Sequence, residues 1–112
     1  MTGLRGAKKT DWPGGEYASG IVIEDIALDG NREKNANLDG NYAGCIWMQD
    51  CSTLAFRNVT ARNYNGDGIS FQQSNDVIVQ DCVSEDNAGL GLHTGSGSKR
   101  PIVRNCIARR NA

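Results

Sequence analysis

The sequence predicts an all-β fold, a solenoid of about three to four coils, from three observations: a repeat of roughly 23 residues through 44–112, apolar residues at alternate positions inside each copy, and glycine or Asx residues at the joints. Gly68-Ile69-Ser70-Phe71-Gln72 lies over Gly91-Leu92-His93-Thr94-Gly95 at a shift of 23, and over Cys45-Ile46-Trp47-Met48-Gln49 at the same shift backwards. Val77-Ile78-Val79-Gln80-Asp81-Cys82 matches Leu54-Ala55-Phe56-Arg57-Asn58-Val59 and, with one extra residue, Pro101-Ile102-Val103-Arg104-Asn105-Cys106. An earlier copy, Ile21-Val22-Ile23-Glu24-Asp25-Ile26, precedes the Leu54 copy by 33, so ten residues are inserted. A unit this short buries its apolar side chains only against the next copy.

Taken in order, residues 1–19 contain Gly, Lys and Trp without periodicity and are expected to form an irregular lead-in or partial cap, with the solenoid running over 20–112. Each full coil then holds three strands, as in Ile69 to Gln72, Val77 to Gln80 and Cys82 to Ser84. Period two sends Ile69, Phe71, Val77 and Val79 inward and Ser70, Gln72, Ile78 and Gln80 outward. Three strand-length runs per repeat leave no room for a crossover helix. Between the second and third strands falls the column Asp25, Asn58, Asp81 and Asn105; Asx side chains bond local backbone and tolerate left-handed geometry, so a tight turn selects them. The Asn58-Val59-Thr60 sequon belongs to that column and is read as incidental.

Cys82 and Cys106 share a column with Ile26 and Val59, which marks them as inward packing residues, reduced and unbridged, because side chains in one column point in parallel. Cys45 and Cys51 flank the first strand of their coil. A net charge of −1 supplies no field for nucleic acid or membrane surfaces, and neither is expected as a partner. No apolar run approaches the roughly 18 residues of a spanning helix, and Met1-Thr2-Gly3-Leu4-Arg5 lacks the apolar core of a signal peptide. Fourteen glycines against two prolines agree with many turns.

The Asx residues of the second turn, the Gly-Asp-Gly-Ile-Ser run at 66–70 and the Gly-Leu-Gly-Leu-His-Thr-Gly-Ser-Gly-Ser run at 89–98 resemble the right-handed parallel β-helix of the pectin-lyase-like superfamily, over roughly residues 20–112. The resemblance implies a right-handed coil, an extended and acidic polysaccharide as partner, and an extracellular or periplasmic setting. Family helices carry more coils and an N-terminal cap, so the chain is expected to be a fragment whose exposed coil ends self-associate.

The resemblance also implies a substrate groove along the first sheet. Its outward residues are Trp47, Ser70 and His93 in one column and Gln49, Gln72 and Gly95 in the next, bordered by loops 29–43 and 96–101. An indole, two amides, a hydroxyl and an imidazole in file could stack on and hydrogen-bond to a sugar chain; equally, polar outward residues are what solvent demands, with Trp47 covered by the inserted loop. Lys99 and Arg100 border the groove and could hold uronate carboxylates. Lys99 follows Gly95-Ser96-Gly97-Ser98, which lacks the glycine spacing and following helix of a phosphate loop.

His93, the single histidine, is the candidate catalytic acid–base. Its place in the first sheet resembles the catalytic segment of alginate-epimerase-type β-helices, which set an aspartate and a histidine together, whereas its own neighbours are Leu92 and Thr94. Asn65-Gly66-Asp67-Gly68-Ile69 resembles the Asn-Thr-Asp-Gly-Ile motif of polygalacturonase-like hydrolases, but two-carboxylate hydrolysis needs a second acid about a coil away, where Leu90-Gly91-Leu92 stands. Asp67 is therefore read as a turn residue. No cofactor is expected; calcium has a candidate in Asp29, Glu33 and Asp39, which double as turn residues beside Gly30-Asn31 and Gly40-Asn41. Two functions stay open: carbohydrate binding or processing, as a lyase, hydrolase or epimerase, and a non-catalytic structural or adhesion module.

Overall fold

The computed structural model describes residues 4–5, 18–37 and 44–112. Among the described residues ten parallel-paired strands follow one another as β1 (Leu4–Arg5), β2 (Ser19–Asp29), β3 (Gly44–Gln49), β4 (Ser52–Arg62), β5 (Asp67–Gln72), β6 (Asn75–Gln80), β7 (Val83–Glu85), β8 (Leu92–Thr94), β9 (Ile102–Arg104) and β10 (Ile107–Arg109). The one helical turn described is the 3-10 turn Arg32–Lys34. The first sheet stacks β1, β3, β5 and β8; the second face stacks β2, β4, β6 and β9, and the third continues from β2 and β4 into β7 and β10. Successive coils repeat in register, with Trp47 beside Ser70 and Ser70 beside His93, which is the arrangement of a parallel β-helix. Leu4–Arg5 already pair with Ile46–Trp47, so the first sheet reaches into the stretch expected to be an irregular lead-in.

In the earlier coils the second and third strands are one continuous element. β2 pairs with β4 from Ser19 to Asp29, and both bend at a left-handed residue, Asp25 (φ 56°) and Asn58 (φ 50°), without losing register. Asp81 (54°) and Asn105 (52°) take the same conformation and separate β6 from β7 and β9 from β10. A short polar side chain lowers the cost of that conformation, and here it also bonds between coils: Asn58 Nδ2 donates to Asp25 Oδ1 at 2.8 Å.

The core is the stack of inward residues, with Ile46, Leu54, Phe56, Val59, Ile69, Phe71, Val77 and Val79 all buried. All four cysteines are free. Cys82 is buried and donates its Sγ–H toward Phe56 O and Gln80 O; Cys106, in the last coil, repeats this with Val79 O and Arg104 O. Each thiol thus lies against two backbone carbonyls, one on its own coil and one on the preceding coil. Inside the third turn the column is polar: Asn87 Oδ1 accepts from Tyr64 N–H at 3.0 Å, and Asn111 Oδ1 accepts from Asn87 N–H at 3.1 Å. A buried asparagine satisfied on both sides locks one coil onto the next.

Candidate functional site

Asp67 opens β5, and its carboxylate is turned toward the next coil. There Leu90 N–H donates to Oδ1 at 2.8 Å, while Oδ2 lies 3.2 Å from His93 Nδ1. Gly89 is required for this geometry, since a Cβ on it would collide with Asp67 Oδ1; a Cβ on Gly68 would likewise strike Ser84 Oγ. Gly89 thus clears the space in which a carboxylate from one coil turns toward an imidazole on the following one, while Gly68 makes room for the buried Ser84 hydroxyl.

His93 Nδ1 also lies 3.3 Å from Ser70 Oγ, its neighbour in register. A carboxylate only accepts, so Nδ1 carries the proton, donates to Oδ2 and shares it with Oγ; in the neutral ring Nε2 then holds the lone pair. The hydroxyl and the carboxylate occupy the same ring nitrogen. A serine nucleophile would need its hydroxyl on the opposite nitrogen, so this trio is no acyl-transfer triad. The Asp67 side chain is 3% exposed and that of His93 19%, so solvent reaches the pair from the imidazole side. The arrangement can orient a histidine and leave Nε2 to accept or return a proton.

Asp67, read from the sequence as a turn residue, is thus a partner of His93 at the start of β5. Asp67 is 26 residues away in sequence and joins it because the coil brings position 67 under 89–93. The signal was present in the glycine at 89, which leaves room for the carboxylate, but register alone pairs His93 with Ser70 and hides a diagonal contact.

The other expected site residues divide. Gln49 and Gln72 are half-buried and in register. Trp47 and Ser70 are fully buried at 0% exposure, so although they belong to the expected column neither presents a surface; Trp47 lies outside the main apolar core cluster. Lys99 is exposed, and its backbone N–H bonds Asn75 Oδ1. Arg100 is placed away from the first sheet: its guanidinium takes both carboxylate oxygens of Asp76 at 2.6 and 3.0 Å, beside Ile78 and Ile102 on the second sheet. The reason is its left-handed backbone (φ 58°), which stacks it on Asp76 (φ 56°) of the preceding coil.

Of the calcium candidates, Asp29 accepts from Asn31 N–H, Arg62 and Asn63, and these donors, the backbone one foremost, hold its carboxyl below the usual range. Glu33 accepts from Asn63 at 2.9 Å, and Asp39 lies outside the described residues. Among the described residues no three His, Cys, Asp or Glu side chains gather as a metal site.

Stacked parallel strands turning three corners per coil define a right-handed β-helix solenoid. The family described as the right handed beta helix region matches residues 15–112, and the chain belongs to it. No curated protein and no solved structure matches the chain.

Proposed function

We propose that the first-sheet face binds an extended, acidic polysaccharide and that His93 works there as the acid–base group, with Asp67 as its positioning residue. The observation that carries this reading is the Asp67–His93 contact at 3.2 Å, which fixes one imidazole tautomer on the same sheet that carries the half-buried amides of Gln49 and Gln72. The fold is often carbohydrate-related, although fold alone does not set activity. Proton abstraction next to a uronate carboxylate, as in lyase or epimerase chemistry, needs one base of this kind. Two-carboxylate hydrolysis is less well supported, since both oxygens of Asp67 are already engaged. A glycan-array binding test with a lyase and epimerase screen checks the proposal: turnover lost in His93→Ala with binding retained supports it, and full turnover in that variant contradicts it.

The second reading, a structural or adhesion module, is favoured by the complete burial of Trp47 and Ser70, which narrows the surface left for a ligand. Glycan binding without turnover, unchanged by His93→Ala, would select it.

A further inference from the structure

On the outer face of the second sheet, Val22, Ala55, Ile78 and Ile102 stand in register on four successive coils. Val22 is 53% and Ile102 49% exposed, Ile78 is half-buried and the small Ala55 is buried at their base, and the four line an open depression of about 550 Å³. Outward strand positions do not ordinarily carry an unbroken apolar file, and an apolar depression with exposed walls at both ends marks an interaction surface. Two residues along the strands runs a second file, Glu24, Arg57, Gln80 and Arg104. Its end charges are poorly matched within one molecule: Glu24 reaches Arg57 only at 3.9 Å, and Arg104 has a neutral partner, donating through both Nε and Nη2 to Gln80 Oε1.

We infer that this face is a self-complementary interface, on which a second copy of the chain docks with its helix axis antiparallel. A two-fold axis lying along the strands keeps each residue's position along the strand and reverses the order of coils. Val22 then meets Ile102 of the other copy and Ala55 meets Ile78, a small side chain against a large one. The same operation sets Glu24 opposite Arg104 twice, and Arg57 opposite Gln80. On the other flank, Asp76 faces Thr53. The alternative axis, parallel to the helix, would set Arg104 against Arg100 of the other copy, so charge selects the antiparallel arrangement.

The face is small. Four strands about 4.8 Å apart and five residues of about 3.3 Å span roughly 300 Å² of flat area, below the roughly 800 Å² of accessible surface per partner in a standard complex, so the dimer is weak and concentration-dependent.

Sedimentation equilibrium on the 112-residue chain, from about 10 µM to 1 mM, tests this. A closed monomer–dimer equilibrium is expected. I78D should abolish it while the circular dichroism spectrum stays that of the unmutated protein, because the side chain points out of the core. E24R and R104E should each weaken association about tenfold, and the double variant E24R/R104E should recover to within about fivefold of the parent. No association at 1 mM, association indifferent to I78D, or a double variant as weak as the single ones overturns the inference.

Discussion

The outward columns of the first and second sheets obey the same alternation and end in opposite conditions. In the first, Trp47 and Ser70 are sealed, and Ser70 meets His93 and through it Asp67. In the second, Ala55 is buried and Ile78 half-buried, but Val22 and Ile102 lie open, flanked by ion pairs such as Arg100–Asp76. Period two therefore fixes which side of a strand a residue occupies, while burial and bonding follow from what the neighbouring coil and loops set against it. The sealed polar column is where proton chemistry can be held in place, and the open apolar one is where another surface can dock.

The sharpest way to break this contrast is at the pair itself. If a uronate-containing glycan is processed, Asp67→Asn should lower kcat by about 10²-fold or more with KM little changed, because a positioned general base contributes about 10²–10⁴-fold. Equal loss in kcat and gain in KM would mean that Asp67 shapes binding instead.

Stability separates the two columns next. Trp47→Ala should cost about 3–5 kcal/mol in denaturant unfolding, as for a fully buried aromatic, whereas Ile102→Ala, half exposed on the last coil, should cost about 1 kcal/mol or less. Comparable losses would show that the second face is covered. Of the two readings of Trp47, a stacking indole and a covered one, its burial supports the second.

Thiol reactivity sharpens the view of the interior. Burial first, then the charge of Asp29, pushes the Cys45 thiol up to about 11, and burial also raises Cys82. At pH 8 the neutral form dominates both, so native alkylation should label Cys106 first and leave Cys45 and Cys82 unmodified until the chain unfolds. Rapid labelling of Cys45 would contradict its burial.

The smallest effect belongs to the surface ladders. Arg100 and Arg110 hold the Asp76 and Asp86 carboxyls below their ordinary range. Such lowered groups stabilise above the unfolded value and lose that contribution as pH falls through the folded one. Because these pairs are exposed, Arg100→Ala should lower the Tm only slightly at pH 7, less at high salt, and not at all below the carboxylate range.

Much of the fold was legible because a repeat exposes it. The shift of 23 aligned the coils, the Asx column marked the left-handed corners at 25, 58, 81 and 105, and the cysteine column pointed inward at unbridged thiols. Strand boundaries were less so, since β2 and β4 carry their ladders around a corner that the sequence reads as a break. The site was half legible. Alternation found His93, but Asp67 reaches it diagonally across coils, and a column-by-column comparison set position 67 against Leu90 instead. Arg100 was misplaced because its left-handed backbone, unusual for arginine, turns it onto Asp76.

His93 is the single histidine, so its ring nitrogens give one unambiguous signal. Long-range ¹H–¹⁵N correlation of the free protein above the imidazole titration reads the tautomer directly. A proton on Nδ1 with Nε2 bare, reverting toward the Nε2–H form in Asp67→Ala, is the result expected of a carboxylate that orients the imidazole. An Nε2–H tautomer in the unmutated protein, indifferent to Asp67→Ala, would contradict it.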